Sequence, residues 1–259
     1  MDITTVIGSI PYRLALAGGW IDQPFVSRLI PEPPGSMVVV SIEPRFLLMD
    51  RCGMATSSRK VAMSLWNGAL PDGNPEDLVR ELYRTENEGK AEPSGSQDMA
   101  GIVYPGINRL DYDFDHEGGY FPAHVESNND PAAAAWLEDT LQLLPVAQRN
   151  EGYNPLGVKN LDPGWIARLG RTGKDCYDAI AAHDTRGLGE SFNECMRCWD
   201  AILPLTVTHA SVNLKTILEY YQGRYAGAMY SGCGGGYLYV ISEEPVPGAL
   251  RVKIRIGAH

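Results

Sequence analysis

The chain has 259 residues, 44% of them apolar and 21% charged, enough hydrophobic material for one large domain or two small ones and too much for a disordered polypeptide. Its formal charge of -10 comes without any cluster of basic residues, which argues against a surface for nucleic-acid backbones. No signal-like segment or long apolar run is apparent and the five cysteines are an odd number, so the expectation is a cytoplasmic protein with no membrane partner.

Residues 3–18 alternate apolar and polar before running apolar into Gly18 and Gly19, the pattern of a strand entering a tight turn. Residues 37–42 are a β-branched run and a second strand; the interval from Asp22 to Gly53 has room for one or two strands. A loop then enters a helix at Thr56, Ser57 and Ser58. Pro75 opens the next helix, with Glu76 and Asp77 in its first turn and Leu78, Val79, Leu82 and Tyr83 on one face. Residues 109–114 and 120–126 flank the turn residues 115–119 as a hairpin. A helix starts at Pro131 and a strand covers 141–147. Residues 165–221 are helical, interrupted at 184–189 and at Leu203 and Pro204, and residues 237–242 and 250–256 are closing strands. Strands and helices without strict alternation predict an α+β fold rather than a doubly wound sheet.

Several side chains along this path carry chemistry, each with a plainer alternative. The turn before Thr56, with Gly53, Thr56, Ser57 and Ser58, offers amides and hydroxyls to a phosphate, or is an ordinary hydroxyl cap. Four glycines among residues 232–236 permit close approach of another backbone or a ligand, or make a simple turn. Asp98, in Gly-Ser-Gln-Asp-Met-Ala-Gly over residues 95–101, can take a proton from a hydroxyl or cap a helix. Arg13 and Asp22, on either side of Gly18 and Gly19, suit a polyol or form a surface ion pair. Glu86 can serve a magnesium ion or face solvent, and Cys195 and Cys198 form a C-x-x-C that otherwise belongs to an amphipathic helix.

Taken in order, these sites resemble the motifs of the GHMP small-molecule kinases, within their fucokinase and heptose-phosphate kinase branch. Pro11, Arg13 and the run Gly-Gly-Trp-Ile-Asp-Gln-Pro over 18–24 resemble the first motif, residues 53–58 the phosphate-loop motif, residues 95–108 the segment bearing the catalytic aspartate, and residues 231–239 the third motif. The likeness continues through residues 168–212, with Cys176, Asp184, Gly187, Gly189, Asn193 and Trp199 in a similar helical pattern. Ala55 stands where the family usually has glycine, and Arg59 and Lys60 where it continues with small residues, which implies a tighter and more cationic loop.

The resemblance implies a two-domain fold: an N-terminal domain over 1–130 like domain 2 of ribosomal protein S5, and a ferredoxin-like C-terminal domain over 131–259. It implies ATP-dependent phosphorylation of a sugar hydroxyl, with ATP and Mg²⁺. Asp98 is then the base or orienting group and Arg13 the neighbour that stabilises charge. Gly53, Thr56, Ser57, Ser58, Gly234, Gly235 and Gly236 belong to the nucleotide side, Ser58 and Glu86 to magnesium, and Gly19, Trp20 and Asp22 to the sugar. The alternative is a catalytically silent relative that binds a sugar or sugar phosphate, and a homodimer is left open.

Overall fold

The structure is a computed structural model and describes residues 3–91 and 93–257. Thr4–Ile7 turns as a short helix, α1, where alternation predicts a strand; only Ile7 is buried, and Gly8 at φ 77 ends the turn by donating its N–H to the Thr4 carbonyl. Four residues are too few to separate a period of 2 from one of 3.6. The chain then extends as β1 (Tyr12–Ala15), makes one helical turn α2 (Pro24–Ser27) and returns antiparallel as β2 (Gly35–Ile42). One strand therefore fills the interval between Asp22 and Gly53.

Next come α3 (Thr56–Leu65), α4 (Pro75–Asn87) and the seven-residue α5 (Gln97–Val103). β3 (Ile107–Tyr112) and β4 (His124–Asn128) form the expected antiparallel pair, completing a sheet in the order β1-β2-β3-β4. β4 starts later than the hydropathy pattern suggests, because Glu117–Gly119 coils into a 3-10 turn whose Glu117 carboxylate accepts from Arg80 at 2.9 and 2.7 Å.

α6 (Pro131–Thr140) leads into β5 (Leu141–Ala147); after α7 (Pro163–Ala181), α8 (Thr185–Ile202) and α9 (Leu214–Gln222) come β6 (Gly227–Tyr230) and β7 (Gly236–Ile241). These three strands make a second antiparallel sheet ordered β5-β7-β6. β6 has four residues, too short for a period-2 pattern to declare itself. Helix starts follow side-chain capping: Asn74, Asp130, Asp162, Asp184 and Asn213 each accept a hydrogen bond from a first-turn amide. The Asp184 cap limits the break between α7 and α8 to a few residues, so Gly187 and Gly189 lie inside α8.

β2 is buried along its whole length, with α5 and α7 both packed on it, and one continuous apolar core reaches both sheets. Cys195 and Cys198 are among the buried residues of α8, the plainer of their two readings, and all five cysteines are free. Residues 250–256 do not form a strand. Leu250 bridges Leu143 and Ile254 bridges Ile42, so this segment ties the two sheets together through single residues. Arg255 anchors it, donating to Ser41 Oγ at 3.0 Å and to the Ile102 and Val103 carbonyls at 3.1 and 2.7 Å, where α5 ends. No helix among the described residues is long and apolar enough to cross a membrane.

Candidate active site

Arg13 sits on β1 with 4% of its surface exposed, and burial lowers its pKa. The terminal guanidinium nitrogens donate one to the Asp98 carboxylate and one to the Gly53 carbonyl, the latter at 3.1 Å. The approach of α5 depends on Gly101, where a Cβ would fall 1.9 Å from Arg13 Cγ. The other Asp98 oxygen accepts from Ser58 Oγ at 3.2 Å. Although Asp98 lies in the first turn of α5, its carboxylate is engaged by side chains from β1 and α3 and does not cap the helix.

The start of α3 answers the question of cap against phosphate loop. Ala55 precedes the helix in the left-handed region, φ 53 and ψ 29, and α3 has no side-chain cap. The Thr56 hydroxyl instead accepts from the Arg51 amide at 3.1 Å. The first amides of α3 are thereby left for a ligand, and a helix N-terminus with free donors favours an anion. Thr56 and Ser57 line the adjoining cleft, while Ser58 is fully buried behind them. Arg59 and Lys60 do not make this loop more cationic. Arg59 turns inward, donating to the Ile10 and Ile7 carbonyls at 2.8 and 2.7 Å and stacking on Tyr12, and Lys60 pairs with Asp50.

The third glycine motif backs this loop. A Cβ on Gly53, which has φ 78, would lie 2.5 Å from the Ser231 carbonyl oxygen and 2.6 Å from Gly232 Cα; one on Gly236 would lie 2.4 Å from the Cys52 carbonyl oxygen. The Ser231 hydroxyl donates to that same Cys52 carbonyl. Gly234 lies against the Tyr153 ring and Gly235 against the Ala147 carbonyl, so these two and Gly236 stand behind the wall, and the cleft is lined by Ser231, Gly232 and Cys233.

These elements enclose a cavity of about 260 Å³. Its cations beyond Arg13 are Arg51 and Arg149, neither with a carboxylate partner among the described residues. Arg149 is held by donating to the Cys233 carbonyl at 2.7 Å and lies over the Tyr153 ring. The sequence offered a cue for Arg51, two residues before Gly53, and none for Arg149, which reaches the cleft only through tertiary folding.

The opposite end carries Gly19, Trp20, Asp22, Gln97 and Trp199. The Trp199 indole N–H donates to the Gly19 carbonyl at 3.2 Å. Asp22 is 1% exposed, accepts from Gln97 Nε2 at 3.3 Å, and has no partner for Oδ2 among the described residues. Burial pushes its carboxyl up to about 6, against the opposing pull of Arg13. Between pH 3.8, its ordinary value, and about 6 the folded chain holds a proton that the unfolded chain releases, so this group makes stability fall as pH rises through that window. Asp22→Asn is expected to flatten that slope and raise stability at pH 7 by on the order of 2 kcal/mol. Chemical denaturation at pH 4, 5, 6 and 7 checks this, and parallel pH dependence in both proteins contradicts it.

Glu86 lies on α4, pairs with Lys90 at 3.5 Å and does not line the cleft. Among the described residues no group of three or more histidine, cysteine or acidic side chains is placed to hold a metal.

No protein-family model and no curated protein matches the chain. Solved structures do. A D-glycero-D-manno-heptose 1-phosphate kinase from Bacteriodes thetaiotaomicron aligns over 96% of both chains at 13% identity and a TM-score of 0.56. Lactococcus lactis galactokinase, complexed with galactose, aligns over 96% of this chain and 93% of its own at 13% identity and a TM-score of 0.61. The fold is that of the GHMP kinases. A mevalonate diphosphate decarboxylase from Staphylococcus aureus shares it over 96% of both chains at 10% identity and a TM-score of 0.54, so the GHMP fold alone does not specify the chemistry. Arg13, the Gly53 loop and Asp98 meet at one cleft through contacts between residues 40 and 85 positions apart, and Ser231 joins the loop at Cys52, 179 positions away.

Proposed function

We propose that the cleft transfers a phosphoryl group from ATP to a hydroxyl of a sugar or sugar phosphate. The observation that carries this reading is the double engagement of Arg13, whose guanidinium bonds both the Asp98 carboxylate and the Gly53 carbonyl of the loop before α3. A group placed so holds the carboxylate and the phosphate loop at fixed separation, and such transfers depend on positioning and charge stabilisation.

The residues suit a nucleotide phosphate: open amides at the start of α3, a Gly53 backbone that lines the cleft, and two cations without carboxylate partners among the described residues. A cavity of about 260 Å³ is small for a whole nucleotide, so the phosphates occupy it and the base lies outside. When bound, Mg·ATP supplies the phosphoryl group and neutralises part of its charge. The magnesium ion needs one or two protein oxygens beside phosphate oxygens, and the Thr56 and Ser57 hydroxyls line the cleft where Glu86 does not. Asp98 accepts the proton of the attacking hydroxyl, Arg13 orients Asp98, and Ser58 holds the second carboxylate oxygen from behind. Trp20 and Trp199 offer apolar surface to a sugar ring, and Asp22 accepts from its hydroxyls.

Calorimetry with Mg·ATP, followed by ADP release across a panel of hexoses, heptoses and their phosphates, tests the proposal. Binding and turnover of at least one sugar are expected. Sugar binding without any response to Mg·ATP contradicts it and favours the silent sugar-binding alternative. On the same reading Arg51→Ala and Arg149→Ala each weaken Mg·ATP by about 10-fold, and the loss shrinks as salt rises. Calorimetric titration at low and high ionic strength reads this; unchanged affinity in both variants removes the arginines from the phosphate site.

A further inference from the structure

Two buried acceptor atoms of cleft-lining residues have no partner among the described residues: Asp22 Oδ2 and Gln97 Oε1. Both residues line the cavity, and Gln97 immediately precedes Asp98 at the start of α5. Their side chains are joined, Gln97 Nε2 donating to Asp22 Oδ1 at 3.3 Å. A carboxylate has only acceptors to offer, so the amide turns its nitrogen toward it and its oxygen is left over. The backbone fixes the carboxylate further: a Cβ on Gly95 would fall 1.9 Å from Asp22 Oδ2, so only glycine there lets the acid stand against the chain. A buried polar atom without a hydrogen bond is costly and is tolerated where a ligand completes it.

The chemistry narrows that ligand. Two unfilled acceptors require two donors, and a phosphate or carboxylate brings none when ionised. Arg13, whose charge acts on Asp22, disfavours a cationic group at the same point. Hydroxyls satisfy both conditions. Because the two acceptors belong to side chains bonded to each other, the donors that match them come from one ligand.

We propose that Gln97 is a specificity-determining residue: together with Asp22 it accepts hydrogen bonds from two hydroxyls of the substrate, selecting an uncharged diol beside the hydroxyl that Asp98 activates. The proposal rests on the reading of this cleft as a sugar site. It assigns the polar end near Asp22 to the diol and leaves any phosphate on the substrate to the cationic end, near Arg51 and Arg149.

The test uses the best substrate from the sugar panel, its single deoxy analogues, and Gln97→Met, which keeps the length of the side chain and removes both polar ends. The variant is expected to raise KM for the sugar about 10-fold or more, with Mg·ATP affinity unchanged as the check on folding. The penalty must vanish for the one deoxy analogue that lacks the hydroxyl read by Gln97, since residue 97 then makes no hydrogen bond to the substrate in either protein. A loss spread equally over all analogues, or an unchanged sugar KM, overturns the assignment of Gln97 while leaving the kinase reading intact. Calorimetric sugar binding that shows the same selective loss, in a protein with no turnover, upholds the diol pair and overturns the kinase reading. Absence of any sugar binding or turnover overturns both.

Discussion

Asp98→Asn is expected to lower phosphoryl transfer by about 10²-fold or more while leaving the fold and sugar binding nearly intact. The substitution keeps size and hydrogen-bonding shape but takes away the site that receives the proton. Arg13 keeps a partner in the remaining carbonyl oxygen, so the loss falls on kcat rather than on KM. The geometry makes this a demanding test, because Asp98 is also one half of an ion pair with a buried arginine. A merely structural pair would show its loss in thermal stability, whereas a catalytic carboxylate shows it in turnover at unchanged sugar affinity. Steady-state kinetics beside a melting curve separates the two, and unchanged turnover removes Asp98 from its role.

Gly53→Ala is the substitution expected to damage the site most through the backbone. Gly53 has φ 78, a conformation that disfavours any side chain by about 1 kcal/mol, and its added methyl would meet backbone atoms of Ser231 and Gly232 at 2.5 to 2.7 Å. Those atoms belong to a loop fixed by the Ser231 hydroxyl and cannot rotate away, so overpacking adds about 1–3 kcal/mol. A total loss of about 2–4 kcal/mol is expected, together with loss of Mg·ATP affinity, because the Gly53 carbonyl is the second anchor of Arg13. Denaturant unfolding and calorimetry on one preparation check both parts. A variant of wild-type stability would show that the loops separate easily and that their contact does not shape the site.

Much of the architecture was legible because short-range chemistry sets it. Proline at the first helical position with an Asn or Asp cap marks the starts of α4, α6 and α7, and the β-branched run of β2 declares a strand buried on both faces. Arg13, Asp22 and Asp98 stood out as polar residues set among glycines and apolar runs, and the fold brings all three to one cleft. What the chain alone concealed depends on distance in sequence. Arg149 comes from the loop after β5 and is oriented by Cys233, 84 positions away. Ser58 reads like its neighbours Thr56 and Ser57, yet the first turn of α3 rotates it inward to Asp98. Gly234 and Gly235 left open whether a ligand or another backbone comes close; Gly235 meets the Ala147 backbone and Gly234 the Tyr153 ring, and of residues 234–236 only Gly236 packs on the loop before α3, at Cys52. Residues 250–256 look like a strand by composition, and no neighbouring strand offers them more than one bridge at a time.

The most direct measurement is a crystal structure with magnesium and a non-hydrolysable ATP analogue. The account predicts the phosphates on the free amides at the start of α3, within hydrogen-bond reach of Arg51 and Arg149, with the terminal phosphate facing Asp98 and the base outside the cavity. A nucleotide bound elsewhere, or none at all at saturating concentration, would contradict it.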